Sequence, residues 1–220
     1  MKDLEQLLFK FKKIKNYNSE DFFVSESNFF AYNLVLKWPN WGKNILNLYG
    51  EKFCGKSHLC DIFQNKFGAS KIEASDLSKN FISQFKTHQN LIIENFTENI
   101  DENTMYSLIN IIDRDNKFIL INSTKPINKL DIKLKDLLSR LNNCIFAEIN
   151  IPDDELIFAI LLKNFSDKQI QIKKKYIEFI IKNIDRSYEK IYEFINKIDQ
   201  TSLKRKKSID LKLIKEALKN

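Results

Sequence analysis

The chain of 220 residues carries 36 Lys and Arg against 29 Asp and Glu, a formal net charge of +7, and is 43% hydrophobic, enough for one core domain with a small appendage. Four glycines and three prolines argue against an all-β sandwich with many tight turns, and three cysteines without CxxC spacing exclude a disulfide framework or thiolate metal site and fit a reducing, cytoplasmic setting. No run of about 18 apolar residues suggests a membrane span, the N-terminus lacks the apolar stretch of a signal peptide, and the scattered positive charge implies at most weak or indirect contact with DNA.

Residues 1–20 are polar and lysine-rich apart from Leu7-Leu8-Phe9 and Phe11. A helix is expected from Asn28 to Leu36, with Phe29, Tyr32 and Leu36 on its buried face. Trp38-Pro39-Asn40-Trp41-Gly42 breaks it. Strand-like runs then recur at Asn44–Tyr49, Ser70–Ala74, Asn90–Ile93, Lys117–Asn122 and Cys144–Ile149, with helical segments between them. Strands apolar on both faces, alternating with helices, predict an α/β fold with a five-stranded parallel sheet covered by helices. The aromatics Phe22, Phe23, Phe29, Phe30 and Tyr32 read as core and pocket walls.

After Pro152 the strand signals stop. Asp153–Asp167, Lys173–Asn183, Ser187–Asp199 and Asp210–Asn220 all read as amphipathic helices, and Pro152-Asp153-Asp154-Glu155 is a good helix start with acids at the positive dipole end. The expected division is an N-terminal segment over residues 1–13, a nucleotide-binding core over 14–150 and a small all-helical lid over 151–220.

The chemistry centres on Gly50-Glu51-Lys52-Phe53-Cys54-Gly55-Lys56-Ser57, which matches GxxxxGK[ST] between a strand and a helix that opens at His58. Backbone N–H groups of such a loop and the helix N-terminus face phosphates. Lys56 is expected to reach the β- and γ-phosphates and Ser57 to hold Mg²⁺. Leu91-Ile92-Ile93-Glu94-Asn95 supplies a second element, a strand ending in an acid that supports the metal. The next position is Asn95, where a carboxylate would activate water, so hydrolysis in cis should be slow. A third strand ends at Asn122, whose amide can orient a water or touch the γ-phosphate.

In this order these elements resemble the AAA+ family, and more narrowly the DnaA-related proteins of the Hda type. Tyr17-Asn18-Ser19-Glu20-Asp21-Phe22-Phe23-Val24, with Ser27-Asn28 and Ala31, resembles a box lining the adenine site, which brings in Phe22 and Val24. Asp136-Leu137-Leu138-Ser139-Arg140-Leu141 resembles a box whose arginine is an arginine finger. Gln6-Leu7-Leu8-Phe9-Lys10-Phe11 resembles the peptide by which Hda proteins dock on the DNA polymerase III sliding clamp, with Gln6 in a polar pocket and Leu7, Phe9 and Phe11 in an apolar one. A hydrophobic staple onto the core is the other reading of that segment. The short N-terminal region and the end of the chain after the lid favour Hda over DnaA in this comparison.

The resemblance implies a clamp-associated regulator that binds ADP or ATP with Mg²⁺ and promotes ATP hydrolysis on DnaA through Arg140 in trans. The alternative is a DnaA-like adaptor that binds a replication partner without stimulating hydrolysis. Homo-oligomer formation stays open. Three departures stand out: Phe53 where the family has glycine, Glu94-Asn95 for a pair of acids, and Lys190 at the lid's second sensor, with Arg186 as the other candidate.

Overall fold

The computed structural model describes residues 22–85, 87–170, 172–205 and 209–218. Five strands, β1 (Ile45–Gly50), β2 (Ser70–Glu73), β3 (Asn90–Phe96), β4 (Phe118–Ser123) and β5 (Ile145–Ile149), form one sheet in the order β2-β3-β4-β1-β5. Every pairing is parallel. β1 therefore lies inside the sheet, flanked by β4 and β5, and its carboxyl end opens between two neighbouring strand tips.

Successive strand residues point to opposite faces, and both faces are covered. Leu46, Leu48, Ile92, Leu120 and Ala147 pack toward α1 (Phe29–Leu36) and α2 (Lys56–Phe67). Ile45, Leu91, Ile93, Ile119 and Ile121 pack toward α3 (Lys79–Phe85), α4 (Glu102–Arg114) and α5 (Lys135–Asn142). α4 shows why these segments fold locally as helices. Asp101 caps it by accepting from the Asn103 and Thr104 amides, and Met105, Leu108, Ile109 and Ile112 form one buried stripe.

Beyond β5 the chain is helical: α6 (Asp154–Asp167), α7 (Lys174–Asn183), α8 (Tyr188–Arg205) and α9 (Leu211–Leu218). These helices enclose a separate apolar cluster that includes Ile157, Leu161, Phe165, Ile180, Ile195, Ile198 and Ile214. Leu156 and Tyr188 instead pack into the cluster beneath α1 and α2, which joins the helical lid to the sheet.

Three expectations need correction. α1 buries Ala31 and Val35, while Phe29 and Phe30 are each 60% exposed and Phe23 is 47% exposed. α1 is apolar nearly all round (FFAYNLVL), so its sequence carries no phase that marks the inner face. α8 runs on to Arg205 rather than ending at Asp199, because no Gly or Pro interrupts Gln200-Thr201-Ser202. β3 continues past Ile93 to Phe96 through a register shift at Glu94 and Asn95.

Candidate nucleotide-binding site

β1 ends in Gly50. A Cβ there would lie 2.8 Å from the Ile149 carbonyl oxygen and 3.0 Å from Cys54 Sγ, so the turn out of the strand excludes any side chain. Gly55 has φ +100° and precedes α2, and no side chain caps that helix. An uncapped N-terminus presents its free amides and the positive end of the helix dipole. Lys56 is buried, and its Nζ donates to the carbonyls of Gly50 and Glu51, both at 2.8 Å. The loop therefore has the glycines, amides and lysine that a polyphosphate needs.

The other loop residues have separate duties. The Glu51 carboxylate turns away from the phosphate cradle to the lid, where it accepts from Ser187 Oγ and from the Tyr188 amide at 2.9 Å. Lys52 is exposed. Phe53 adopts φ +67°, the conformation a glycine would take most easily, so its Cβ does not stop the loop from forming. Its ring stacks on Tyr192 of α8 with centroids 4.2 Å apart and planes 10° apart. Cys54 is buried, and burial pushes its thiol pKa up although Lys56 pulls the other way.

Phe22 stacks on Tyr32 with centroids 5.6 Å apart and meets His58 edge-on at 5.1 Å. Its Cε2 lies 3.3 Å from where a Gly55 Cβ would be. That brings Phe22 beside the loop, as an adenine wall requires; the nearby Val24 is half-buried. The exposed Phe23, Phe29 and Phe30 do not serve as core.

At the neighbouring strand tips, Ser57 Oγ donates to Glu94 Oε2 at 2.8 Å, and Asn122 Nδ2 donates to the same oxygen at 2.5 Å. Asn122 Oδ1 accepts from the Asn95 amide at 3.1 Å, and the Asn95 side chain donates to Glu73 at 2.9 Å. Asn122 thus clamps the β3 bulge and aims Glu94. Asn95 adopts φ +55°, and its side chain is engaged by Glu73. Ser57 donates its proton and keeps lone pairs for a cation, which fits magnesium held with phosphate oxygens. Among the described residues no group of three or more His, Cys, Asp or Glu could hold a metal by itself.

Other expected residues lie elsewhere. Arg140 is in the last turn of α5, its Nη1 2.7 Å from Asp113 Oδ2. Arg186 pairs with Asp154 at 2.7 Å and Lys190 with Glu193 at 2.9 Å, both on the lid surface. Gln6, Leu7, Phe9 and Phe11 lie outside the described residues.

The sequence reading missed several contributors. Asp153 caps α6 through the Leu156 amide and also accepts from the Ser27 amide and hydroxyl at 3.1 and 2.9 Å, tying the lid to the segment before α1. Asn47, buried in β1, donates to Ser123 Oγ and the Ile121 carbonyl and accepts from the Ile127 amide. A polar residue inside an apolar strand was the available signal for Asn47. Lys71 of β2 pairs with both Asp61 and Glu94. Burial alone would lower its pKa, but the two carboxylates hold it above the ordinary lysine value.

The sheet order, the loop at the end of β1 and the helical lid define this as a P-loop fold of AAA+ architecture. The likeness extends to one protein in particular, the bacterial replication initiator DnaA. The chain is 24% identical over 229 residues to DnaA of Thermoanaerobacter sp. (strain X514), covering 92% of this chain and 52% of that protein. It thus spans about half the length of such curated relatives. An uncharacterised protein of Haemophilus influenzae is 24% identical over 211 residues, covering 87% of this chain and 91% of that one. Domain III of Thermotoga maritima DnaA superimposes with a TM-score of 0.73 at 22% identity, covering 93% of this chain and 98% of that one. DnaA bound to AMPPCP and single-stranded DNA gives 0.69 at 23% identity over 86% and 67% of the two chains. The Thermotoga maritima RuvB branch-migration motor gives 0.68 at 18% identity over 92% and 71%. No family model matches. Among the described residues no helix is long and apolar enough to cross a membrane.

Proposed function

We propose that this chain is a DnaA-like regulator that retains ADP or ATP at Gly50–Ser57 and promotes hydrolysis of ATP on DnaA, limiting re-initiation of DNA replication. Residues 6–11 tether it to the sliding clamp. Bound magnesium would neutralise phosphate charge; Ser57 and Glu94 would hold it, Lys56 would leave its carbonyls for the phosphates, and Asn122 would keep Glu94 aimed. Phe22 would wall the adenine. Lys190, or Arg186, would bring lid charge to the nucleotide after leaving its present partner.

The position of Arg140 carries the reading. Arg140 precedes Ile145, which pairs with Leu46 near the start of β1, whereas the phosphate loop begins at Gly50 beside Ile149. Strands rise about 3.3 Å per residue, so these edges are roughly 13 Å apart. Arg140 is therefore out of reach of its own loop, yet its side chain is 48% exposed and would meet a neighbour by leaving its surface pair with Asp113. The engaged Asn95 agrees with weak hydrolysis in cis. A trans arginine in other NTPases contributes about 10³–10⁵ in rate.

The test is Arg140→Ala in a clamp-dependent assay of ATP hydrolysis on DnaA. The expected result is loss of stimulation with partner binding retained; unchanged stimulation overturns the mechanism. Partner binding by the wild-type chain with no stimulation supports the adaptor reading instead, which the Arg140–Asp113 pair favours by occupying the guanidinium. A peptide of residues 1–13 should bind the clamp, and failure removes the docking role.

A further inference from the structure

Behind the phosphate loop stands a cation that no phosphate motif specifies. Lys71 projects from the edge strand β2 onto the α2 side of the sheet. Its Nζ lies 2.7 Å from Asp61 Oδ1 on α2 and 2.9 Å from Glu94 Oε1 on β3. The other Glu94 oxygen accepts from Ser57 Oγ and Asn122 Nδ2. Glu94 is only 2% exposed; its Oε2 takes both hydrogen bonds, while its buried Oε1 has no well-directed hydrogen bond and is matched by the Lys71 ammonium alone. Asp61, with a side chain 22% exposed against 3% for Glu94, is the better solvated of the two acids.

A buried carboxylate needs a compensating charge. Where an acid supports a phosphate site, a divalent cation and its waters supply that charge, and without them the acid repels the incoming phosphates. Lys71 supplies it here. The repulsion toward a metal-free nucleotide is reduced, and the acid has less to gain when a metal arrives. Both effects act in one direction. We propose that Lys71 is the resident counter-ion of Glu94 and makes retention of a nucleoside di- or triphosphate at Gly50–Ser57 largely independent of magnesium. This rests on the reading of that loop as a nucleotide site.

The experiment measures ATP binding to the full chain by calorimetry, in excess magnesium and in excess EDTA. Wild type should change affinity by less than about threefold between the two, whereas Lys71→Met should weaken about tenfold or more in EDTA and recover with magnesium. Lys71→Met strands a buried acid, so Lys71→Arg, which keeps a cation beside Glu94, serves as the second variant and should hold the metal-free affinity within about threefold of wild type. A wild type that weakens tenfold in EDTA, a Lys71→Met as metal-independent as wild type, or a Lys71→Arg that loses metal-free binding as fully as Lys71→Met each overturns the role of Lys71. Absence of wild-type binding in both conditions overturns the nucleotide site itself and this role with it.

Discussion

Replacing Phe53 separates two opposing energies in the phosphate loop. Holding a non-glycine residue at φ +67° costs about 1–2 kcal/mol. Against that, the stack on Tyr192 contributes about 0.5–1.5 kcal/mol beyond area burial. The ring is 51% exposed, so half-burial adds roughly 1 kcal/mol more. Phe53→Ala keeps the strained backbone and loses both contacts, a destabilisation of about 2 kcal/mol. Phe53→Gly loses the same contacts but relieves the strain, less the roughly 0.5–1 kcal/mol that glycine loses in chain entropy. Urea unfolding without nucleotide should therefore rank wild type above Phe53→Gly, and Phe53→Gly above Phe53→Ala by about 0.5–1 kcal/mol. A double-mutant cycle of Phe53→Ala with Tyr192→Ala should return about 0.5–1.5 kcal/mol of coupling. An alanine variant as stable as the glycine variant, or zero coupling, would refute the argument that the lid stack compensates for the strained loop.

Other consequences can be measured directly. Burial opposes ionisation of Asp153, but hydrogen bonds from Ser25, the Leu156 amide and Ser27 hold its carboxyl below the ordinary range. Its contribution is therefore complete above the unfolded value of about 3.9 and is lost as pH falls through the lowered folded value. Asp153→Ala should lower stability by about 1 kcal/mol at pH 7 and flatten the acid limb of a stability–pH profile; an unchanged limb argues against this cap. Glu51→Gln removes a charged acceptor from the start of α8, so amide exchange in that first turn should quicken by about tenfold relative to β4. Equal protection in both proteins would deny the latch. Asn47→Ala strands the buried Ile127 amide and should reduce stability by about 2 kcal/mol in urea unfolding; a loss below about 0.5 kcal/mol would show that water replaces the side chain.

The phosphate loop was readable in advance because its requirements are local. Two glycines, a lysine and a serine at set spacing must follow a strand and open a helix, and Gly50, Gly55, Lys56 and Ser57 do so. Strand positions were also readable, since central parallel strands are short apolar runs bounded by polar turns. The faces of α1 were not, because FFAYNLVL is apolar nearly all round and the neighbouring sheet selects Ala31 and Val35.

Local sequence alone determined the phosphate loop, the β-α alternation and the change to helices after Pro152. Tertiary structure decided what the loop residues do. Glu51 and Phe53 fall inside the phosphate-loop motif, and their side chains meet Ser187, Tyr188 and Tyr192, which lie more than a hundred residues along the chain. Nothing in the local sequence marks Lys71; the pairing of β2 with β3 places its ammonium beside Glu94. Sequence spacing encodes which backbone turns can form. The charges and rings that meet across strands and domains are chosen by packing, and packing is a property of the whole chain.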